Sequence, residues 1–178
     1  MEIIIYGSKY GSAKKYAENL SEKMNIPCVS YQDVKNINDY STIIYIGALY
    51  AGGVTGMTKT LKKISDTNGK KIIVVTVGIS DPTYDKNVEF IRKGLYQQLP
   101  AELHSITSVF HLRGNIDYSR LSFMHRTMMR FVYKKVKSIP EEQRREEDKS
   151  MLETYNKKAE FIDFSSLDKM IQEIESLS

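Results

Sequence analysis

Two stretches of this chain, Thr42–Gly47 (TIIYIG) and Lys71–Gly78 (KIIVVTVG), run through β-branched and apolar residues without alternation. A strand with one face in water alternates apolar and polar side chains, whereas a strand covered on both faces reads as a continuous apolar run. The chain must therefore supply helices to both sides of a sheet. Glu2–Tyr6, Pro27–Tyr31 and Leu103–Leu112 read as three further strands. From Gly11 to Met24 the apolar positions Ala13, Tyr16, Ala17, Leu20 and Met24 recur at three and four, the spacing of one helix face. Met57–Ile64, Lys86–Leu99 (stopped by Pro100) and Ser165–Leu177 (with Leu167, Met170, Ile171 and Ile174 on one face) read as helices too. Alternating strands and helices imply an α/β fold, a five-stranded parallel sheet covered on both faces, and the doubly wound order 2-1-3-4-5 suits it. At 178 residues the expectation is a single domain over residues 1–178.

Composition narrows the setting. No apolar run approaches the length of a membrane span, and the N-terminus lacks the basic and long apolar regions of a signal peptide. The single cysteine, Cys28, excludes an internal disulfide and a cysteine-built metal site, and is expected as a small core residue. His104, His111 and His125 share no ligand spacing and read as structural or surface residues. The expected location is cytoplasmic, with peripheral contact at the inner face of the membrane as the alternative. The net charge of +4 is unevenly placed. Arg120, Arg126, Arg130, Lys134, Lys135 and Lys137 fall between Ser119 and Ser138 with no acid among them; setting those six aside leaves 20 basic residues against 22 acidic ones.

Ligands of doubly wound sheets bind beyond the carboxyl ends of the strands, so the loops after Tyr6, Gly47 and Gly78 are the candidates. The first, Gly7-Ser8-Lys9-Tyr10-Gly11-Ser12-Ala13, joins a strand to a helix. Free amides at a helix N-terminus, hydroxyls and a turn glycine make such a loop a phosphate cradle. The same residues also read as a plain helix cap with Ser12 as the capping residue.

The stretch Ile4–Leu20 (IIYGSKYGSAKKYAENL) resembles the flavodoxin signature for FMN phosphate, with Ile4, Ile5, Tyr6, Ser8, Gly11, Ala17 and Leu20 at the family's spacing. The resemblance implies a flavodoxin-like fold, FMN as cofactor, and Ser8, Lys9, Tyr10, Gly11, Ser12 and Ala13 around the phosphate. Ala13 stands where the family usually has threonine, which removes one hydroxyl. In the second loop, Leu49, Tyr50, Ala51, Gly52 and Gly53 would flank the flavin ring, with Tyr50 stacked on it and a glycine peptide turned toward N5; the other reading of this loop is a strand-to-helix turn. Gly78, Ile79, Ser80 and Asp81 would lie at the other edge of the ring, although Asp81-Pro82 is equally a turn and helix entry. Flavin chemistry calls for no catalytic acid, base or nucleophile from the chain, and no metal is expected.

Between the fifth strand and the last helix lies a long insertion, Arg113 to Phe164. Its first part, Tyr118–Ser138, reads as a basic amphipathic helix, with Leu121, Met124, Met128, Phe131 and Val132 on one stripe and Arg126, Arg130, Lys134 and Lys137 opposite. That pattern fits a helix packed on the domain with its basic face in water. It also fits, with aromatics such as Phe123 and Tyr133, an anionic membrane surface or an acidic partner. No nucleic-acid reading motif is present. The run Glu141–Lys149 mixes both signs and is expected in solvent. Leu112-Arg113-Gly114, Tyr118 and the Met- and Arg/Lys-rich helix are similar to the menaquinone-dependent protoporphyrinogen dehydrogenase branch of the flavodoxin-like proteins. The expected function is an FMN redox protein carrying electrons to or from a partner protein or quinone. The alternatives are a protoporphyrinogen- or quinone-type oxidoreductase docking on a membrane, and a flavin-less interaction domain.

Overall fold

The computed structural model describes residues 1–50 and 52–176; Ala51 and Leu177 lie outside the described residues. Five strands, β1 (Glu2–Gly7), β2 (Cys28–Ser30), β3 (Thr42–Tyr50), β5 (Lys71–Gly78) and β6 (Thr107–Arg113), form the parallel body of the sheet in the order β2-β1-β3-β5-β6. Counted among themselves these are strands 2-1-3-4-5, as expected. A two-residue strand, β4 (Gly53–Val54), folds back antiparallel on the end of β3, pairing Leu49 with Val54 and Tyr50 with Gly53.

The strand period of two sends alternate residues to opposite faces. Ile3, Ile5, Ile43, Tyr45, Ile72 and Val74 face one core layer, where α2 (Met57–Leu61) contributes Met57 and Leu61 and α3 (Asp85–Tyr96) contributes Leu95. Ile4, Ile44, Ile46, Ile73 and Val75 face the other, covered by Ala13, Tyr16, Ala17 and Leu20 of α1 (Ser12–Met24) and by Leu167, Met170 and Ile174 of the final helix. All eleven of these strand residues are essentially buried, which is why their runs carry no alternation. Cys28 is only partly buried against the second layer, and burial pushes its thiol up to about 11.

The insertion leaves and re-enters the domain through a short antiparallel ribbon, β7 (Ile116–Asp117) against β8 (Lys158–Ala159). Asn115 ties its two ends together: the side-chain oxygen accepts the amides of Phe161 and Ile162 at 2.7 and 3.0 Å. Its first helix, α4 (Phe123–Lys137), starts later than the sequence pattern suggests, because Tyr118–Arg120 form a 3-10 turn and Ser122 caps the helix by accepting the His125 amide. The mixed-charge run is not simply solvated. It enters α5 (Glu146–Thr154), where Asp148 is buried and accepts the Arg145 amide at 2.9 Å, with Met151 and Thr154 buried beyond it. Helix α6 (Ser165–Ser176) closes the fold.

Candidate functional site

The ends of β1, β3, β5 and β6 lie side by side, with Gly7 opposite Gly47, Ala48 opposite Val77 and Gly78 opposite Arg113. The predicted loops therefore meet over one edge of the sheet. At Gly7 a Cβ would fall 1.9 Å from the Thr55 carbonyl oxygen, so only glycine lets the first loop leave the strand here. Ser8 Oγ then accepts the Gly11 amide at 3.1 Å, and Gly11 takes a left-handed conformation (φ 98°) as the residue preceding α1. Gly11 has no side chain to cap the helix and no side-chain cap bond is made among the described residues, so the first-turn amides of α1 open onto the cleft. The capping role expected of Ser12 is thereby corrected: its hydroxyl instead accepts the Asn115 amide at 3.0 Å. The side chain of Ala13 lies in the core at zero exposure and can offer the cleft only its amide.

A cavity of about 170 Å³ sits above this turn, walled by Ser8, Tyr10, Ser12, Leu49, Tyr50, Gly78 and Ile79, seven of the predicted residues. A further wall was not foreseen. Helix α4 crosses the opening and presents His125, Met128 and Met129 to it. His125, read from sequence as a scattered structural residue, is 1% exposed and stands between Tyr10 and Tyr50. Its ring lies 4.2 Å from that of Tyr50 at 48°, covering the aromatic face expected to stack on a ligand. Lys9 Nζ reaches His125 Nε2 at 3.0 Å and lies 4.9 Å from the Tyr50 ring centre. An ammonium only donates, so Nε2 accepts and the proton on Nδ1 is directed at the Tyr10 hydroxyl oxygen. Burial first and the Lys9 charge second hold this imidazole below the ordinary histidine range and therefore neutral at pH 7.

Other predicted residues lie elsewhere. Gly52, Gly53 and Ser80 line a separate cleft of about 500 Å³ beside α3, which shares Leu49 and Tyr50 with the first. Gly52 also has positive φ (81°), the turn requirement between β3 and β4. Asp81 does not wall the 170 Å³ cavity. It accepts from the Thr83 amide and hydroxyl and pairs with Arg113 at 3.4 Å, and these contacts hold its carboxyl below the usual range despite its partial burial. Arg126, Arg130, Lys134 and Lys137 are exposed on α4. Behind Ser12 a recess of about 260 Å³ carries Lys15, Arg120 and Lys158 against Asp117 and Glu160. No cluster of metal-ligating side chains occurs among the described residues.

Only part of the expected apolar stripe faces the domain: Leu121 is buried and Met128 lines the cavity, whereas Met124, Phe131 and Val132 are turned outward. The helix buries His125 and Val136, while Met124 and Phe131 are 72% and 69% exposed and Phe123 is 86% exposed. Tyr133, expected on the basic face, is partly buried and stacks on Tyr155 at 3.9 Å.

A family model described as a flavodoxin domain matches residues 3–143. Among solved structures, the chain is similar to a flavodoxin from the domain Archaea (18% identity, 63% of this chain and 83% of that one, TM-score 0.38). It is also similar to a Trp repressor binding protein from Bacillus subtilis (15% identity, 64% and 87%, TM-score 0.41). No curated protein matches it by sequence.

Proposed function

Because the chain belongs to the flavodoxin-domain family, we propose that the cleft over β1, β3 and β5 is an FMN site and that the protein carries electrons to or from a redox partner. The observation that carries this reading is the uncapped first turn of α1, opening beneath the wall made by Tyr50 and Gly78–Ile79. A helix N-terminus with free amides is an anion site, and here the flanking charge is positive at Lys9 and Lys15. Ser8, Gly11, Ser12 and the Ala13 amide would hold the phosphate. Tyr50 would cover one face of the ring and Gly78–Ile79 its edge.

The donor set fits a phosphate: nothing lies within 4 Å of where a Cβ on Gly11 would stand, so the turn is open on its outer side. The ring side fits in chemistry, with one condition on volume. Sites for organic ligands usually exceed roughly 300 Å³, against the 170 Å³ present with His125 against Tyr50. Helix α4 or the His125 side chain must therefore give way when the site is filled. Bound flavin supplies one- or two-electron transfer; the chain binds it, excludes water from it and sets its potential.

Titration with FMN, followed by tyrosine fluorescence and the flavin absorption band, tests this directly, since the chain has no tryptophan. Tight binding is expected, weakened at least a hundredfold by Ser12→Glu, whose carboxylate would repel the phosphate. Absence of binding would leave the loop as a helix N-terminus alone and favour the flavin-less interaction domain.

A second reading is favoured by one feature. Electron carriers meet protein partners through an exposed flavin edge, whereas α4 roofs this cleft with His125, Met128 and Met129. A roofed cleft suits an oxidoreductase acting on a small substrate, of the protoporphyrinogen or quinone type. Oxidation of protoporphyrinogen by the FMN-loaded protein with a menaquinone analogue tests it; no turnover would return the chain to the carrier reading.

A further inference from the structure

Among the described residues, nine large apolar side chains are exposed, and four of them, Phe123, Met124, Phe131 and Val132, lie on α4. At about 100° per residue, Phe123, Met124 and Phe131 fall within one third of the helix circumference. Arg126 and Arg130 flank them on one side and Lys135 on the other, and Lys134 lies within the arc between Phe123 and Phe131. This is the side turned away from His125 and Val136, the two residues that α4 buries. Helix α4 contains no acidic residue, and no cation on it has a carboxylate partner among the described residues. The outer face therefore combines protruding aromatic and thioether side chains with unneutralised positive charge along a helix about 22 Å long.

We propose that this face of α4 is a docking surface for an anionic lipid bilayer, with Phe123, Met124 and Phe131 entering the headgroup boundary and Arg126, Arg130, Lys134 and Lys135 lying among the lipid phosphates. Three observations select this occupant. The apolar side chains stand out singly from a convex helix, which suits insertion between headgroups rather than a partner's pocket. The flanking cations match a negative surface and would repel a second copy of the same face. No described helix is long and apolar enough to cross a membrane, so contact through this helix would be peripheral. The inference does not depend on flavin binding.

The test is co-sedimentation of the full chain, without added flavin, with phosphatidylglycerol–phosphatidylcholine vesicles and with phosphatidylcholine vesicles alone. Binding to the first and not the second is expected, weakening as salt is raised. Each contacting cation contributes about fivefold to the partition coefficient, so Arg126→Glu, Arg130→Glu and Lys134→Glu together should abolish it. Phe123→Ser with Phe131→Ser, which keeps every charge, should reduce it about tenfold. Both sets alter exposed positions, and unchanged thermal unfolding will show that the fold is intact. No sedimentation with anionic vesicles overturns the proposal, as does unchanged binding by the double serine variant. Capture by an immobilised polyglutamate peptide without vesicle binding also overturns it, in favour of an acidic protein partner.

Discussion

Helices α1 and α4 both bring their first turns to the same cleft. Helix α1 buries Ala13, Tyr16, Ala17 and Leu20 against the sheet and leaves its N-terminal amides uncapped. Helix α4 does the reverse: Ser122 caps it, it buries only His125 and Val136, and its largest apolar side chains face outward. In α1 the packing belongs to the fold and the exposed chemistry is its terminus. In α4 the terminus is satisfied and the exposed chemistry runs along its length. The two helices thus divide the tasks of holding the sheet and meeting something outside it.

The largest effect that could break this contrast is in stability. Leu20→Ala removes a fully buried side chain from the second core layer and should cost about 3 kcal/mol. Phe131→Ala, at 69% exposure, should stay within about 0.5 kcal/mol. Urea unfolding of the two variants measures both. A comparable loss in Phe131→Ala would mean that α4 packs on the domain through its apolar stripe after all.

A second comparison sharpens the first: His125 at the cleft and His111 under α3 are both held below the ordinary histidine range, chiefly by burial. His111, on β6, bonds Thr76 Oγ1 through Nδ1 at 2.7 Å and receives Arg92 Nε at 3.3 Å. Burial, and then the Arg92 charge, push it down to about 4 from an ordinary 6.5. The folded state thus prefers the neutral form, and the unfolded chain binds the proton first as pH falls. This contribution to stability is complete above pH 6.5 and drains away between 6.5 and about 4, amounting to about 2 kcal/mol after allowing for partial exposure. His111→Gln should lose correspondingly less stability than the parent between pH 7 and pH 4.5 in urea melts; equal losses would remove His111 from the acid response.

The α1 side of the molecule was legible because burial on two faces writes itself into composition. Ile43–Ile46 and Ile72–Val75 could hardly be anything but central strands, and the position of the first loop follows from the end of β1. The α4 side was less legible for a physical reason. Periodicity tells which residues share a stripe, but docking decides which stripe turns inward. Here the inward side is set by His125, held by Lys9 and Tyr10 more than a hundred residues away in sequence, and by the Ser122 cap. Helix α5 was hidden by the same limit: Asp148 looks like one more charge in a solvated run until its bond to the Arg145 amide is seen. Positions 125, 129 and 136 do share a helical side, and a histidine on it was the available signal.

The Ser122 cap offers a smaller test of how far α4 depends on its own terminus. Ser122→Ala should cost about 1 kcal/mol, seen as a lower urea midpoint. It should leave the first turn of α1, and hence the affinity for inorganic phosphate or FMN, unchanged. A loss of affinity equal to the loss of stability would show that the two helices are not independent at the cleft.

The smallest effect concerns His125 itself. With its ring against Tyr50 the cavity holds about 170 Å³, and the imidazole lies where a flat ligand would stack. His125→Ala removes that ring while leaving Ser8, Gly11 and Ser12 in place, so the phosphate end of the site is untouched. Association with FMN in stopped-flow tyrosine quenching should then speed up several-fold, because no side chain has to leave the slot first. Dissociation should change less. If association slows and affinity falls instead, His125 is a wall of the filled site rather than an occupant of the empty one. Helix α4 would then share with α1 the work of holding the ligand, and the division between the two helices would hold only for the fold.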